Sequence, residues 1–456
     1  MSIDTICALA TVPGGAIGII RISGDQSLEI LSRIFSKDLT NAQPNTIHYG
    51  HILSPTSPPT SSATSISADS AASVPCTPDG SPSGTTPIDE VLVSIFRAPH
   101  SYTGEDSAEI SCHGSRYILN KVLELLVQNG CRMARPGEYT MRAYLNGKMD
   151  LSQAEAVADL IASGNQVTHQ MAMSQLRGHF SSKLSQLRDK LLELTSLLEL
   201  ELDFSDHEDL EFANRDELLD LAQQIDEHIT RLAQSFETGN ALKNGIPVAI
   251  IGAPNVGKST LLNALVGEDR AIVSDIQGTT RDAIEDTIEL GGITFRFIDT
   301  AGIRHTNDTI ESLGIERSIA AAQRARIILL MTQPGIPYPD VPVRDDQTVI
   351  RIENKTEAFQ AKYGVGLDAL RQQLIDAAPK TTDSDVIVTN ARHYEALCRA
   401  HDHLQRVIEG LQMQLSGDLL SEDLRLTLDT LAEITGGQIT PNEFLGNIFK
   451  NFCVGK

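Results

Sequence analysis

Hydrophobic and polar positions change period several times along the chain, and each change marks a different kind of element. Near the N-terminus small and β-branched residues dominate, and Ile17-Gly-Ile-Ile-Arg-Ile-Ser23 reads as a strand ending at a glycine turn. Asp25 to Phe35 carries apolar residues at helical spacing. Val91-Leu-Val-Ser-Ile-Phe96 returns to strand character, and a helix follows near Tyr117 to Asn129. From about Leu151 the period is helical. Leu184, Leu187, Leu191, Leu194 and Leu198 recur at spacings of three and four, and Leu218, Ala222, Ile225, Ile229 and Leu232 repeat the stripe. At Pro247 the pattern switches to short apolar runs, Val248 to Gly252, Thr294 to Asp299 and Ile327 to Met331, alternating with helices. That predicts an α/β domain around a parallel sheet. From about Asp383 the chain is helical again, so the α/β segment reads as an insertion in a discontinuous helical domain.

Two stretches break the pattern. Ser54 to Thr86 turns to Ser, Thr, Pro and Ala, with almost no large apolar residue. It cannot bury enough surface to offset its ordering entropy, and is expected to be a loosely packed or disordered surface insertion. Asp203-Phe-Ser-Asp-His-Glu-Asp209 has the residue types of a metal site. A solvated acidic helix end is the favoured reading, because consecutive carboxylates converge only when a fold makes them.

At 456 residues the chain is long enough for two to four domains. Its 37 basic and 60 acidic residues give a formal charge of −23, so a nucleic-acid partner would need a local basic patch. Six cysteines without paired spacing fit a reducing compartment better than a disulfide framework. No apolar run reaches the roughly 18–20 residues of a membrane span, and the N-terminus lacks a basic region before an apolar core. A bacterial cytoplasmic protein is expected. The last six residues, NFCVGK, place Cys453 fourth from the end, but Val454, Gly455 and Lys456 do not make a prenylation box.

The strongest chemical signal is Gly252-Ala-Pro-Asn-Val-Gly-Lys-Ser259, which follows a predicted strand and opens a helix. This is the context of a P-loop, in which backbone N–H groups and a helix N-terminus face phosphates. Asn255, Val256, Gly257, Lys258, Ser259 and Thr260 are candidate nucleotide contacts. Lys258 would reach the β- and γ-phosphates, and the Ser259 hydroxyl would bind Mg²⁺. Gly278-Thr-Thr-Arg-Asp282 stands where a switch loop closes over the γ-phosphate. Asp299-Thr300-Ala301-Gly302 ends a strand, with Asp299 expected on Mg²⁺ through water and the Gly302 N–H at the γ-phosphate. Together these make GTP the expected ligand. The guanine end is unusual. Asn354-Lys355-Thr-Glu357 resembles N-K-x-D with a longer acid, and Gln360-Ala-Lys362 follows where a helix and a strand normally intervene. Gln333 to Gln347 is proline-rich and reads without a helix. Three readings stay open: a trimmed base pocket, a motif that lies elsewhere, or an ordinary strand-end turn at Asn354 and Lys355.

Taken together the motifs resemble the MnmE (TrmE) family of tRNA-modification GTPases over nearly the full length. The markers are DTICALATVPGGAIGIIRISG, FRAPHSYTGEDSAEISCHG, RPGEYTMRAYLNGKMDLSQAEAVADLI, the G motifs, EDLRLTLDTLAEITG and the terminal NFCVGK. The resemblance implies a multidomain α/β and α fold. Residues 1–148 would form an N-terminal α/β tetrahydrofolate-binding and dimerisation domain carrying the 54–86 insertion. Residues 149–243 and 381–456 would form the helical domain, with a G domain at 244–380 inserted. It implies that Arg21, Glu109, Lys148 and Lys456 surround the folate and that Cys453 is a candidate nucleophile. A buried small hydrophobe in the last helix is the alternative for Cys453.

For GTP hydrolysis the resemblance implies K⁺ in place of an arginine finger. Asn255, Ser274, Ile276 and Thr279 would ligate it, within a switch loop that also holds Asp275, Gln277, Gly278 and Thr280. Thr280 would join Ser259 on Mg²⁺, and Glu311 would orient the attacking water. A solvated helix-face carboxylate is the bland reading of Glu311. The implied activity is GTP hydrolysis coupled to an aminomethyl-type modification at C5 of the wobble uridine of tRNA. The carbon would come from 5,10-methylenetetrahydrofolate, of which 5-formyl-tetrahydrofolate is an analogue. The implied partners are a second copy of the chain and an FAD protein resembling MnmG (GidA), together a heterotetramer. The competing readings are a regulatory switch of the Era or Der type without modification chemistry, and a folate scaffold carrying a degenerate G domain.

Overall fold

The computed structural model describes residues 4–55, 85–203, 215–268, 286–298, 319–380, 386–437, 442–450 and 452–455. The chain divides into two compact units, Met1–Ala158 with Ile439–Lys456, and Asp159–Gln438. Among the described residues no helix is long and apolar enough to cross a membrane.

The first unit is built on β1 (Ile6–Leu9), β2 (Ile17–Ser23), β3 (Ile47–Pro55), β4 (Thr85–Phe96), β5 (Ser107–His113) and β6 (Arg132–Met133). They form one sheet in the order β3-β4-β5-β2-β1-β6, antiparallel except for the β1–β6 pair. β3 and β4 each run two residues into the stretch expected to be an insertion; residues 56–84 lie outside the described residues. Helices α1 (Ser27–Ile34) and α2 (Arg116–Gln128) cover one face. Their apolar stripes, including Leu28, Leu31, Leu119 and Val122, bury against Ile20, Ile22, Ala108 and Ile110. Strand alternation sends the neighbours of those residues to the other face. There Arg21 of β2 stands directly opposite Glu109 of β5 in the register. On that second face α3 (Glu138–Leu145) lays Tyr139 against Ile6, Ala8 and Ala134.

The last helix of the chain, Asn442–Phe449, belongs to this unit. Its Leu445 and Phe449 pack on Leu151 and Ala154 of α4 (Leu151–Ala162), so the C-terminus is anchored beside the N-terminal sheet.

In the second unit the leucine stripes form the helices they predict, α6 (His179–Asp203) and α7 (Arg215–Asn244), after α5 (Gln166–Leu176). They pack with Ala391–Gln412 and Gly417–Thr435, two helices from the far side of the inserted domain, around Leu191, Leu194, Ile225, Ile229, Leu404 and Leu424. Each fully buried side chain of this kind contributes about 1.5–3 kcal/mol. The bundle therefore closes only when both halves of the sequence are present.

The inserted sheet has the order β11-β10-β7-β9-β8, from β7 (Ile246–Gly252), β8 (Asp286–Leu290), β9 (Ile293–Phe297), β10 (Ile327–Thr332) and β11 (Thr348–Glu353). The expectation of a parallel sheet is corrected at one edge, where β8 pairs antiparallel with β9. The cause is a two-residue turn at Gly291 and Gly292, with φ of 58° and 78°. That conformation matches the twist of a tight hairpin and suits glycine. Residues 333–347, between β10 and β11, run without a helix. Val341 packs on the small cluster that includes Ile298, Ala322 and Leu330, and Gln347 Nε2 donates to the carbonyls of Ala322 and Ala325 at 2.6 and 2.7 Å. A loop thus caps the preceding helical turn, in the place a helix would fill.

Candidate nucleotide and folate sites

β7 delivers the chain to Gly252, and α8 (Lys258–Glu268) departs from the end of the glycine-rich loop. The loop bends through Asn255 at φ 63° and Gly257 at φ 102°. A left-handed φ at a non-glycine residue is uncommon and is found where surrounding structure holds the backbone for a purpose. Lys258 Nζ donates to the carbonyls of Gly252 and Ala253 at 2.6 and 3.0 Å, and burial lowers its pKa. The Lys258 ammonium is therefore held over the loop whose N–H groups, with the first turn of α8, suit a phosphate chain. Ser259 stands in that first turn. Asn255 and Thr260 are exposed, and Val256 is buried beneath the loop.

The base motif is clasped to this loop. Asn354 follows β11 and is buried. Its Nδ2 donates to the Val256 carbonyl at 2.8 Å, and its Oδ1 accepts from the Ala361 N–H at 3.0 Å. A Cβ at Gly257 would lie 2.5 Å from Asn354 Nδ2, so the approach requires glycine. Lys355 also has a left-handed φ, 65°, and its Nζ donates to Asn255 O at 3.2 Å and Gln333 Oε1 at 2.6 Å. Asn354 is thus buried and bonded on both sides of its amide, not solvated at the strand end. The intervening helix and strand are replaced by a tight turn. Thr356 N donates to Phe359 O at 3.2 Å, and Phe359 N to Thr356 Oγ1 at 3.2 Å. Glu357 is exposed on that turn. Gln360-Ala361-Lys362 then leads through a 3₁₀ turn (Ala361–Tyr363) into Leu367–Ala377.

The second site lies in the first unit. Arg21 donates to Glu109 Oε1 through Nε at 3.0 Å and Nη2 at 2.7 Å. Its Nη1 donates to the Gly455 carbonyl at 2.9 Å, so the C-terminal tail ends on this ion pair. The tail is also held by Gly137 N, which donates to Cys453 O at 3.3 Å. The Arg21 guanidinium lies 5.6 Å from the ring centroids of both Tyr102 and Tyr139, and Tyr139 OH donates to Arg21 O at 2.8 Å. Lys148 Nζ donates to Pro99 O at 2.9 Å, at the start of the loop that carries Tyr102. Arg21, Glu109 and the tail therefore meet, and Lys148 joins them through the 99–104 loop. A partly exposed carboxylate and a guanidinium flanked by aromatic rings fit a flat heteroaromatic ligand with donors and carboxylates, as a folate is. Tyr102 and Tyr139 were not singled out in the sequence. Each lies inside a family marker, but no local pattern points either ring at Arg21.

The alternative of a buried hydrophobe for Cys453 is corrected: the residue is exposed and lies beyond the last helix, where the tail has left helical geometry. Glu311, Ser274, Asp275, Ile276, Gln277, Gly278, Thr279, Thr280, Asp299, Thr300, Ala301, Gly302 and Lys456 lie outside the described residues, as does Phe204 to Asp209 of the acidic stretch. No group of three or more His, Cys, Asp or Glu residues is placed to hold a metal among the described residues.

Two family descriptions together match almost the whole chain: the GTP-binding protein TrmE N-terminus over residues 5–148, and the MnmE helical domain over residues 151–453. The chain belongs to the MnmE family. Among MnmE relatives, tRNA modification GTPase MnmE of Phocaeicola vulgatus is 54% identical over 99% of both chains. Its namesake in Bacteroides fragilis is 51% identical over 100% of both, and that of Porphyromonas gingivalis 46% over 99% of this chain and 98% of its own. The TrmE N-terminal match ends at residue 148, while the first compact unit continues through Ala158 and takes in the C-terminal tail.

Proposed function

We propose that this chain hydrolyses GTP as a component of tRNA wobble-uridine modification. The carrying observation is the double hydrogen bond of Asn354, which ties the base motif to the phosphate loop on a chain whose other unit joins Arg21, Glu109 and the C-terminal tail. Lys258 would move from the loop carbonyls to the β- and γ-phosphates, and Glu357 would accept hydrogen bonds from guanine. Ser259 and Thr280 would hold Mg²⁺, and Asn255, Ser274, Ile276 and Thr279 would hold K⁺; the two cations would supply positive charge against the phosphates. Asp299 and Gly302 would sense the γ-phosphate, and Glu311 would orient water.

In the first unit Glu109 would read the donors of a pterin, and Arg21, Lys148 and the Lys456 terminus would hold its charged groups. When bound, the folate supplies the one-carbon unit. Cys453, exposed beside that pocket, is the candidate nucleophile. GTP turnover would drive a conformational step coupled to this chemistry, in a homodimer joined by an MnmG-like FAD protein. The Era/Der-type reading leaves the Arg21 pocket without a role, and the degenerate-domain reading leaves the Asn354 clasp without one. The test is nucleoside analysis of tRNA incubated with the chain, the flavoprotein, folate donor, glycine or ammonium, and GTP. Modified wobble uridine that depends on GTP is expected; unmodified tRNA in the complete mixture, with GTP consumed, would refute the coupling.

A further inference from the structure

Three side chains occupy carbonyls of the phosphate loop. Lys258 Nζ takes those of Gly252 and Ala253, Lys355 Nζ that of Asn255, and Asn354 Nδ2 that of Val256. Carbonyls held by the protein in this way leave the N–H groups of the loop for an anion. Asn354 is buried and bonded at both ends of its amide, so its hold is secure. Lys355 is different. It is exposed and stands on a long stem with rotamer freedom to lose, and its contact with Asn255 O is 3.2 Å. Its shorter contact, 2.6 Å, is to Gln333 Oε1. Among the described residues no carboxylate ion-pairs with Lys355.

The sheet brings Gln333 to this place. β10 and β11 pair in parallel with Thr332 opposite Glu353, and one position further Asn354 N donates to Thr332 O at 2.8 Å. Beyond β10 the chain is turned by Ile336 N, which donates to Gln333 O at 3.0 Å, and by Thr332 Oγ1, which donates to Ile336 O at 2.6 Å. Gly335, at φ 83°, completes the turn, and Gln333 is half-buried in it. A lysine ammonium only donates, so the amide must present its oxygen to Lys355. The resulting strap runs from Gln333 through Lys355 to Asn255. Lys355 and Asn255 have φ of 65° and 63°, a conformation that is disfavoured outside glycine and persists where surrounding contacts hold it.

We propose that Gln333 is a positioning residue of the nucleotide site: by accepting from Lys355 it holds the ammonium on the Asn255 carbonyl, and so keeps the phosphate loop in its binding conformation. The proposal rests on the GTP reading above and adds a residue to it. A neutral acceptor does this while leaving the charge of Lys355 uncancelled toward an anionic ligand.

The experiment is a double-mutant cycle on the full chain, with Gln333→Leu, Lys355→Ala and the two combined, read by binding of fluorescently labelled GDP. Leucine is close to glutamine in size and accepts no hydrogen bond. Gln333→Leu alone is expected to weaken binding about five- to tenfold, the lower end for a hydrogen bond to a charged group. In the Lys355→Ala background the same change should cost less than about twofold, because the group it acts through is gone. In steady-state hydrolysis Gln333→Leu should raise KM for GTP and move kcat far less. Gln372→Leu makes the same exchange at an exposed amide on Leu367–Ala377, and should bind and melt as the unsubstituted chain does. Equal losses from Gln333→Leu in the two backgrounds would overturn the proposal, as would unchanged affinity in Gln333→Leu. A fall in kcat at unchanged KM would overturn it too, placing Gln333 in the chemical step. Failure of the unsubstituted chain to bind GTP or GDP would refute the GTP reading itself, and the strap with it.

Discussion

Asn354 Nδ2 donates to the Val256 carbonyl at 2.8 Å, across 98 residues of sequence. The same amide accepts from the Ala361 N–H at 3.0 Å. One buried side chain thus fixes the phosphate loop, the end of β11 and the turn that replaces a missing helix and strand. Asn354→Ala would leave a buried carbonyl and a buried N–H unpaired, at a cost of about 1–3 kcal/mol for each. The expected outcome is a lower melting temperature and at least about tenfold weaker GTP binding, read by calorimetry. Asn354→Asp keeps the acceptor for Ala361 but loses the donor, and should fall between the two.

Glu357 is one methylene longer than the acid of the usual motif, and it sits on a tight turn whose Thr356–Phe359 bonds limit its backbone. Glu357→Ala should reduce discrimination of GTP over ATP by about 10–100-fold, the worth of charge-assisted hydrogen bonds, with ATP affinity unchanged. Competition binding with the two nucleotides measures this. Unaltered discrimination would place base reading on other groups.

Gly455 anchors the tail. Its φ is 94°, and a Cβ there would lie 2.3 Å from the Leu9 carbonyl oxygen. Gly455→Val should detach the tail from Arg21 while leaving the Arg21–Glu109 pair and the sheet intact. Affinity for 5-formyl-tetrahydrofolate should drop with circular dichroism unchanged. A variant that binds the folate normally would remove the tail from the pocket.

Glu138 gives the first unit a defined response to acid. Burial works to raise its pKa, but hydrogen bonds from Arg132, at 2.5 and 3.0 Å, and from Arg135 N, at 2.8 Å, outweigh it and leave the pKa lowered. Asp4 is lowered as well, chiefly by its hydrogen bond from Arg132. A carboxylate with a depressed folded-state pKa contributes stability that is present above its unfolded value, about 4, and is lost as pH falls through the folded value. Melting temperature should therefore decline below about pH 4.5 in the native chain. Glu138→Gln should melt lower at neutral pH and show a shallower decline.

How much of this was legible depended on how local each feature is. The P-loop is contiguous, so spacing alone placed Gly252 to Ser259 between a strand and a helix. The leucine stripes of α6 and α7 were legible for the same reason. Strand alternation could send Arg21 and Glu109 away from the helix-covered face, but their direct opposition depends on the β2–β5 register, which is set by pairing across 88 residues. The resemblance supplied that pair. Gly291-Gly292 is a local hairpin signal, and it is what turns β8 antiparallel to β9 at the edge of an otherwise parallel sheet. Tyr139 and Gln333 act through tertiary contacts and leave no local trace. The base motif at Asn354 was readable as residues, but only its contacts with Val256 and Ala361 separate it from an ordinary turn.

The most direct test is GTP hydrolysis by the purified chain in KCl and in NaCl, with ATP as a control. Hydrolysis that is selective for GTP and strongly faster in KCl is predicted from the Asn354 clasp and from the roles proposed for Glu357 and Asn255. Equal rates in the two salts, or ATP consumed as fast as GTP, would contradict it.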